Sequence, residues 1–276
     1  HDATGACAAV TIEVDERNAE GDIASLPSII ESFVADGVDL IAPISTPAAQ
    51  AALQVVGGVG GTVPVAFSVV TDPFAAGLAT DASTHEPWIT GNQSLPPFEA
   101  VIDAAQELVP DLEMIGLPYT PSEANSQPII DAIQAIADAR GLTLETATAT
   151  TSAEVQQAAE ALVGRGVDVI LVPTISTVDS GQAAIAQVAA DSDVPVVGSA
   201  SAQAGTSAAV AVGADYYAAG YDAGERACAI LSGEATPAEL DVLNIGSVAV
   251  AVNLELAEQQ GVTIPDSLLA DAEVVG

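Results

Sequence analysis

Positive charge is almost absent from this chain. Its 276 residues include no lysine and four arginines against 38 acidic residues, so the formal net charge is −34. Binding to nucleic acid or to anionic lipid depends on basic side chains, and the composition therefore excludes both as expected partners. The excess of carboxylates is typical of a halophilic protein, since concentrated salt screens exposed charges. A compositional bias of the genome explains the same excess.

Several other features are also missing. No apolar run reaches the roughly 18–20 residues that a membrane helix needs, and no nucleophile elbow, HExxH, phosphate-binding loop or GxGxxG occurs. We therefore expect no enzyme, no catalytic residue and no cofactor. Cys7 and Cys228 lie far apart without the spacing of a metal site. Their spacing leaves open either a disulfide in an oxidising compartment or two buried thiols.

Half of the residues are apolar, which indicates a folded protein of one large domain or two ordinary ones. Short β-branched runs alternate with alanine-rich segments of helical period, and this alternation predicts an α/β fold with parallel sheets. The predicted strands are Ala9–Val14, Leu40–Pro43, Val63–Ser68, Met114–Tyr119, Leu142–Ala147, Val169–Pro173, Val194–Ser199 and Ala208–Val212. The predicted helices are Ser25–Ala35, Pro47–Val55, Phe98–Leu108, Ser126–Arg140, Ser152–Gly164, Gly181–Ala190 and Tyr216–Leu231.

An internal repeat indicates two similar βα domains. Its matched segments are separated by 129 to 131 residues: Phe33–Asp39 with Leu162–Asp168, Ser45–Thr46 with Ser176–Thr177, and Val63–Ser68 with Val194–Ser199. Small hydroxyl residues follow the predicted strands in both halves, where parallel sheets bind ligands. These residues predict a polar cleft between two facing rims, although capping of the next helix explains about half of them.

Several segments resemble one protein family along nearly the whole chain. They are Phe67–Pro73, Gly91–Pro97, Tyr119–Ser126, Gly213–Gly220, Asn253–Leu254 and Gly261–Pro265. In these segments the sequence resembles the tryptophan-binding-protein-like group of ABC-transporter substrate-binding proteins.

The resemblance implies a type I periplasmic-binding-protein fold with two Rossmann-like lobes, residues 1–113 plus 215–240 and residues 114–214 plus 241–276. It places the crossovers near Leu112–Met114, Gly213–Tyr216 and Glu239–Asn244. Since the helix at Tyr216 would return to the first lobe, the resemblance favours a Cys7–Cys228 disulfide. It further implies an ABC permease as partner and an extracellular or periplasmic location, with an expected surface tether upstream of residue 1.

The implied ligand is a small polar or aromatic, amino-acid-like molecule captured by hinge closure. The expected ligand-binding residues are Thr46, Ser68, Thr71, Asp72, Tyr119, Glu123, Asn125, Ser126, Thr174, Ser176 and Ser199; no metal site is expected.

Two departures from the family pattern support an alternative function. The family's first strand and helix are expected to be missing, and Ile175 and Ala200 stand where similar proteins tend to carry acids. The alternative is a structural or assembly protein, forming a filament or surface layer, that keeps the fold without ligand transport and self-associates through the incomplete first lobe.

Overall fold

The computed structural model of the protein describes residues 11–246, 248–270 and 272–276. Its helices are α1 (Leu26–Asp36), α2 (Thr46–Gly58), α3 (Phe98–Leu108), α4 (Ser126–Arg140), α5 (Val155–Gly164), α6 (Ser176–Ser192), α7 (Tyr216–Ser232), α8 (Leu254–Gln259) and α9 (Asp266–Leu269). Its strands are β1 (Val65–Val70), β2 (Ala79–Asp81), β3 (Thr84–His85), β4 (Ile89–Gln93), β5 (Met114–Tyr119), β6 (Thr143–Thr148), β7 (Val169–Val172), β8 (Val196–Ala200), β9 (Val210–Ala214), β10 (Leu243–Asn244), β11 (Val248–Val252) and β12 (Glu273–Val274).

The chain forms two compact units. The first consists of the described residues within His1–Leu95 together with Tyr216–Gly246, and the second of Pro96–Asp215 together with the described residues within Ser247–Gly276. The chain therefore passes three times between the units, at residues 95/96, 215/216 and 246/247. Among the described residues, no helix is long and apolar enough to cross a membrane.

A parallel sheet in the order β1-β4-β10 forms the centre of the first unit. Ile41 and Ile44 add isolated parallel bridges along β1. The core of the unit includes Val56 of α2, Phe67 of β1 and Ile89 of β4, all fully buried. At Gly91 of β4 a Cβ atom would lie 2.2 Å from the backbone oxygen of Phe67, so the two strands approach closely only because this residue is glycine.

The second unit contains a seven-stranded sheet in the order β12-β11-β9-β8-β7-β5-β6. All its neighbouring strands run parallel except β11, which is antiparallel to β9. Strands β7, β8 and β9 are buried at every position, as expected for a parallel sheet covered on both faces. Parallel strands end at the same edge, so the loops after β5, β7 and β8 come together there.

The α/β class and the parallel sheets agree with the sequence analysis, and β5, α3 and α4 have the predicted bounds. The strand predicted at Ala9–Val14 is wrong at residues 11–14, which are exposed and lack regular structure; its first two residues lie outside the described residues. The strand predicted at Leu40–Pro43 is reduced to one isolated bridge at Ile41, and a second bridge at Ile44 lies just beyond the predicted range.

The units also differ from the predicted lobe boundaries. The expected first crossover lay near Leu112–Met114, but the units divide at Leu95/Pro96, and residues 96–113 belong to the second unit. The reason is packing, because α3 lies against β8, β9 and α4. Residues 241–246, which the prediction gave to the second lobe, stay in the first unit, where β10 pairs with β4.

Candidate functional site

The end of β1 in the first unit has an unusual backbone conformation that side chains hold in place. Val69 has φ +55°, which is rare for a β-branched residue. The Oδ1 atom of Asn92 accepts hydrogen bonds from the Val69 amide at 3.1 Å and from the Ser68 hydroxyl at 3.3 Å. Ser68 is one of the predicted ligand residues, whereas Asn92 was missed because nothing in the sequence relates it to β1.

Asn92 is in turn joined to an ion pair in which the arginine is buried and the carboxylate is half-buried. Its Nδ2 donates to the backbone oxygen of Ala219 at 2.8 Å and to the Asp222 carboxylate at 3.0 Å. The Nε of Arg226 donates to the same carboxylate at 2.9 Å, and its Nη1 donates to the backbone oxygen of Asp241 at 2.8 Å. Arg226 is 5% exposed. Its hydrogen bonds compensate for the desolvation of the buried charge.

Helix α2 begins at Thr46 directly beside β1. The amide of Ser45 donates to the backbone oxygen of Ser68 at 3.1 Å, so two predicted ligand residues, Thr46 and Ser68, are brought together. Ser45 has φ +92° and its side chain does not cap the helix. The Thr46 hydroxyl is buried and has no hydrogen-bond partner among the described residues.

Thr71 and Asp72 follow β1 in a tight turn. The Oδ1 of Asp72 accepts hydrogen bonds from the amides of Phe74 and Ala75 at 3.0 and 2.9 Å. The backbone oxygen of Thr71 accepts from Gln93 Nε2 at 3.3 Å. One carboxylate oxygen of Asp72 therefore stabilises the turn, and contact of this residue with a ligand stays a prediction.

In the second unit, Glu123 caps helix α6. Its carboxylate is 4% exposed and accepts hydrogen bonds from the amides of Ser176 at 2.9 Å and Thr177 at 2.8 Å. An anion at a helix N-terminus is stabilised by the unpaired amides and by the helix dipole. The structure thus joins two predicted ligand residues, Glu123 and Ser176, through a contact within the protein.

Three other predicted residues of this unit also make internal hydrogen bonds at the strand ends. Asn125 Nδ2 donates to the backbone oxygen of Thr174 at 2.8 Å, and the Ser126 hydroxyl donates to that of Thr120 at 2.6 Å. The Ser199 hydroxyl donates to the backbone oxygen of Val172 at 3.0 Å. The Asn125 bond joins the loops after β5 and β7, and the Ser199 bond joins the ends of β8 and β7.

A carboxylate that sequence analysis missed lies beside these loops. Asp179 of α6 accepts a hydrogen bond from Gln203 Nε2 at 2.6 Å, and Gln203 Oε1 accepts the amides of Ser199 and Ala200. Burial, together with the nearby negative charge of Glu123, raises the pKa of Asp179 to about 7, although the Gln203 hydrogen bond opposes the rise. Ile175 and Ala200, the expected acid positions, are buried and apolar.

Tyr119, at the end of β5, lines a cavity of about 380 Å³ in the second unit. The other lining residues come from β6, from α5 and from the positions flanking α5, and they are Thr146, Ala147, Thr148, Glu154, Gln157, Ala158, Ala161 and Arg165. Arg165 is ion-paired with Glu145 at 3.1 Å. Neither Asp179 nor Gln203 is among the residues that line this cavity.

Two other expectations concern cysteine and metal. Cys228 is buried in α7, but Cys7 lies outside the described residues, so the disulfide stays a prediction. No group of three or more metal-binding side chains occurs among residues that the structure describes.

Comparison with known proteins gives consistent matches along the chain. The family model for ABC transporter substrate binding proteins matches residues 4–275. The tyrosine-binding protein of Clostridioides difficile is 31% identical over 242 residues, which are 88% of this chain and 68% of that protein. The crystal structure of a conserved domain protein from Vibrio cholerae is 32% identical, covers 96% of this chain and 87% of its own, and superposes with a TM-score of 0.88.

A second similar solved structure contains a bound ligand. It is an ABC domain from Streptococcus pneumoniae in complex with L-Trp, 29% identical to this chain, with a TM-score of 0.86. The match covers 96% of this chain and 90% of that one. The similarity therefore spans both compact units.

Proposed function

This chain belongs to the ABC transporter substrate-binding protein family, and from that premise we propose that it captures an aromatic amino acid and delivers it to an ABC permease outside the cytoplasm. The family consists of binding proteins that work with a permease. The observation that carries the choice of ligand is the whole-length similarity to a protein named for tyrosine and to a structure complexed with L-Trp.

The proposed contact residues follow the strand ends of each unit. In the first unit they are Thr46, Ser68, Thr71 and Asp72; in the second they are Tyr119, Glu123, Asn125, Ser126, Thr174, Ser176 and Ser199. Within the second set, Glu123, Ser126 and Ser199 support the site through their internal hydrogen bonds. Tyr119 offers an aromatic face for stacking.

An amino-acid ligand also needs a partner for its ammonium group, because a buried unpaired charge is costly. Asp179 is the proposed partner. The chain has no lysine, and all four arginines are ion-paired with other carboxylates. No arginine is therefore paired with Asp179, which accepts its hydrogen bond from the neutral amide of Gln203. The charge of Glu123 is already balanced by the amides at the start of α6.

Thermal-shift measurement and calorimetry with L-tyrosine and L-tryptophan test the function. A ligand at 100 times its Kd stabilises the protein by about 2.7 kcal/mol, which is readily measured. The variant Asp179→Asn should lose affinity for L-tryptophan but keep its affinity for indole-3-propionate, which lacks the ammonium group.

The matched control is Asp111→Asn, which removes an equal charge from an exposed position. It should bind both compounds as the wild type does. The proposed function fails if neither amino acid stabilises the wild type, and the role of Asp179 fails if its variant binds L-tryptophan unchanged.

A further inference from the structure

The ends of strands β1 and β8 share one irregularity. The sequence repeat makes Ser68 the counterpart of Ser199. One residue later, Val69 corresponds to Ala200 in the same way. The register of β1 against β4 shifts within the last four residues of β1, and the register of β8 against β9 shifts within the last three residues of β8. Such a bulge interrupts the regular ladder and re-aims side chains, and it is common beside active sites.

A buried side-chain amide holds each of these irregular ends. The Oδ1 atom of Asn92 accepts a hydrogen bond from the Val69 amide at 3.1 Å. The Oε1 atom of Gln203 accepts one from the Ala200 amide, also at 3.1 Å. The same two oxygens each bond the preceding serine of the strand, through its hydroxyl in β1 and through its amide in β8. Counterpart residues are therefore held alike by two side chains from different parts of the fold.

The nitrogen of each side-chain amide donates to a carboxylate. Asn92 Nδ2 lies 3.0 Å from Asp222 Oδ2, and Gln203 Nε2 lies 2.6 Å from Asp179 Oδ1. A carboxylate accepts hydrogen bonds, so only the nitrogen end of the amide can face it. Each carboxylate thus orients its amide with the oxygen toward the strand end. We call these two units the amide–carboxylate pairs, Asn92 with Asp222 and Gln203 with Asp179.

The two amide–carboxylate pairs differ in charge. Asp222 is ion-paired with Arg226 at 2.9 Å, which balances its negative charge. The arginines in the described structure are paired with carboxylates other than Asp179, so the second pair has no balancing arginine. What the two pairs share is therefore the geometry that they impose on a strand end.

We propose that Asn92 and Gln203 are matched positioning residues, which hold the ends of β1 and β8 in the conformation that binds ligand. This inference rests on the proposed function, which places Ser68 and Ser199 among the contact residues. Val69 has φ +55°, a conformation that is unfavourable for a β-branched residue and persists where the surrounding structure holds it. A site that is ordered before the ligand arrives loses less affinity to the cost of ordering.

The first test compares Gln203→Met with the matched control Gln260→Met. Gln260 is fully buried and bonds the other end of β8, since its Oε1 accepts from the Val196 amide at 2.8 Å. Its Nε2 donates to the backbone oxygen of Ser207 rather than to a carboxylate. Both variants should have lower melting temperatures, because each leaves buried amides without a partner. Calorimetry well below those temperatures should show L-tryptophan binding about 10-fold weaker in Gln203→Met and unchanged in Gln260→Met.

A second ligand separates positioning from an indirect effect on Asp179. Indole-3-propionate has no ammonium group, so its binding does not need the Asp179 charge. Gln203→Met should weaken the binding of this compound about 10-fold as well, because the end of β8 is no longer held. A loss confined to L-tryptophan, or an equal loss in Gln203→Met and Gln260→Met, would refute the positioning role of Gln203.

The variant Asn92→Asp tests the first pair through its pH profile. It keeps an oxygen for the Val69 amide and places a second oxygen where Nδ2 faces Asp222. Arg226 favours the ionised form of Asp222, so the new carboxyl is the one that gains a proton as the pH falls, and this proton restores the lost donor. The ratio of the variant's Kd for L-tryptophan to that of the wild type should fall about fivefold or more between pH 8 and pH 5. A constant ratio would refute the positioning role of Asn92.

The outcomes separate this inference from the proposed function. If the wild type binds L-tryptophan and the variants at Asn92 and Gln203 bind it unchanged, the positioning roles are refuted while the proposed function stands. If the wild type binds neither L-tryptophan nor L-tyrosine, the proposed function is refuted and the positioning roles with it.

Discussion

Asp179 should make the stability of this protein depend on pH in a direction opposite to that of most carboxylates. Its pKa is raised from 3.8 to about 7 in the folded state, so between these values the folded state binds a proton that the unfolded state has released. The neutral carboxyl makes its full contribution to the free energy of unfolding below pH 3.8, and this contribution is lost as the pH rises through about 7. Ionised Asp179 therefore destabilises the fold near neutral pH.

The size of this loss of stability follows from the shift in the pKa of Asp179. A rise of about three pKa units, at 1.36 kcal/mol each, corresponds to a destabilisation of at most about 4 kcal/mol. Partial access of solvent to the carboxylate reduces this value. In Asp179→Asn the new amide oxygen can still accept the hydrogen bond from Gln203 Nε2, which spans 2.6 Å in the wild type. The variant therefore removes the charge and keeps the contact.

The assay is chemical denaturation of the wild type, Asp179→Asn and Asp111→Asn at several pH values from 4 to 8. The Asp179 variant should match the wild type near pH 4 and become more stable by about 1–4 kcal/mol at pH 8. The Asp111 variant measures the effect of one lost charge on a chain of net charge −34. A stability difference that stays constant across this range would refute the reasoning.

Three further predictions concern the rest of the molecule. Arg226→Ala leaves the Asp222 carboxylate without its ion pair and should cost about 3–5 kcal/mol in urea denaturation; a loss below 1 kcal/mol would contradict this. The melting temperature should rise between about 0.01 and 1 M salt, where the Debye length falls from roughly 30 to 3 Å, and a constant value would argue against salt adaptation. Cys7 and Cys228 should resist alkylation under denaturing, non-reducing conditions, and reduction should lower stability by about 4–5 kcal/mol; two labelled thiols per chain would exclude the disulfide.

The elements that the sequence predicted best are those with consistent local signals. Helix α4 ends at Arg140 because Gly141 adopts the left-handed conformation that stops it, and β5 is an apolar run between turns. Strand β4, in contrast, contains Gly91 and Asn92, residues of low strand propensity. Pairing with β1 and β10 stabilises β4. The residues of β4 itself do not indicate this pairing, so the strand was not predicted.

The strand-end loops were predictable in position, whereas the contacts between their side chains were not. Hydroxyl residues after the strands located the strand-end loops, and the structure joins several of them there. The use of Glu123 as a cap depends on a helix that starts 53 residues later, and the hydrogen bond to Asp179 comes from Gln203, 24 residues further along the chain. These contacts arise from tertiary packing, which the periodicity of one sequence does not encode.

The first unit is built from two separate segments of the chain, and this arrangement has a consequence for folding during synthesis. Its strand β4 is hydrogen-bonded to residues 127 to 150 positions further along the chain: Asn92 donates to Ala219, and Thr90 donates to Leu240 and accepts from Arg226. A ribosome has therefore completed most of the second unit before the first can close. During that interval the earlier part of the first unit has an incomplete sheet, because its native contacts join residues far apart in the sequence. Apolar surface and strand edges are then exposed.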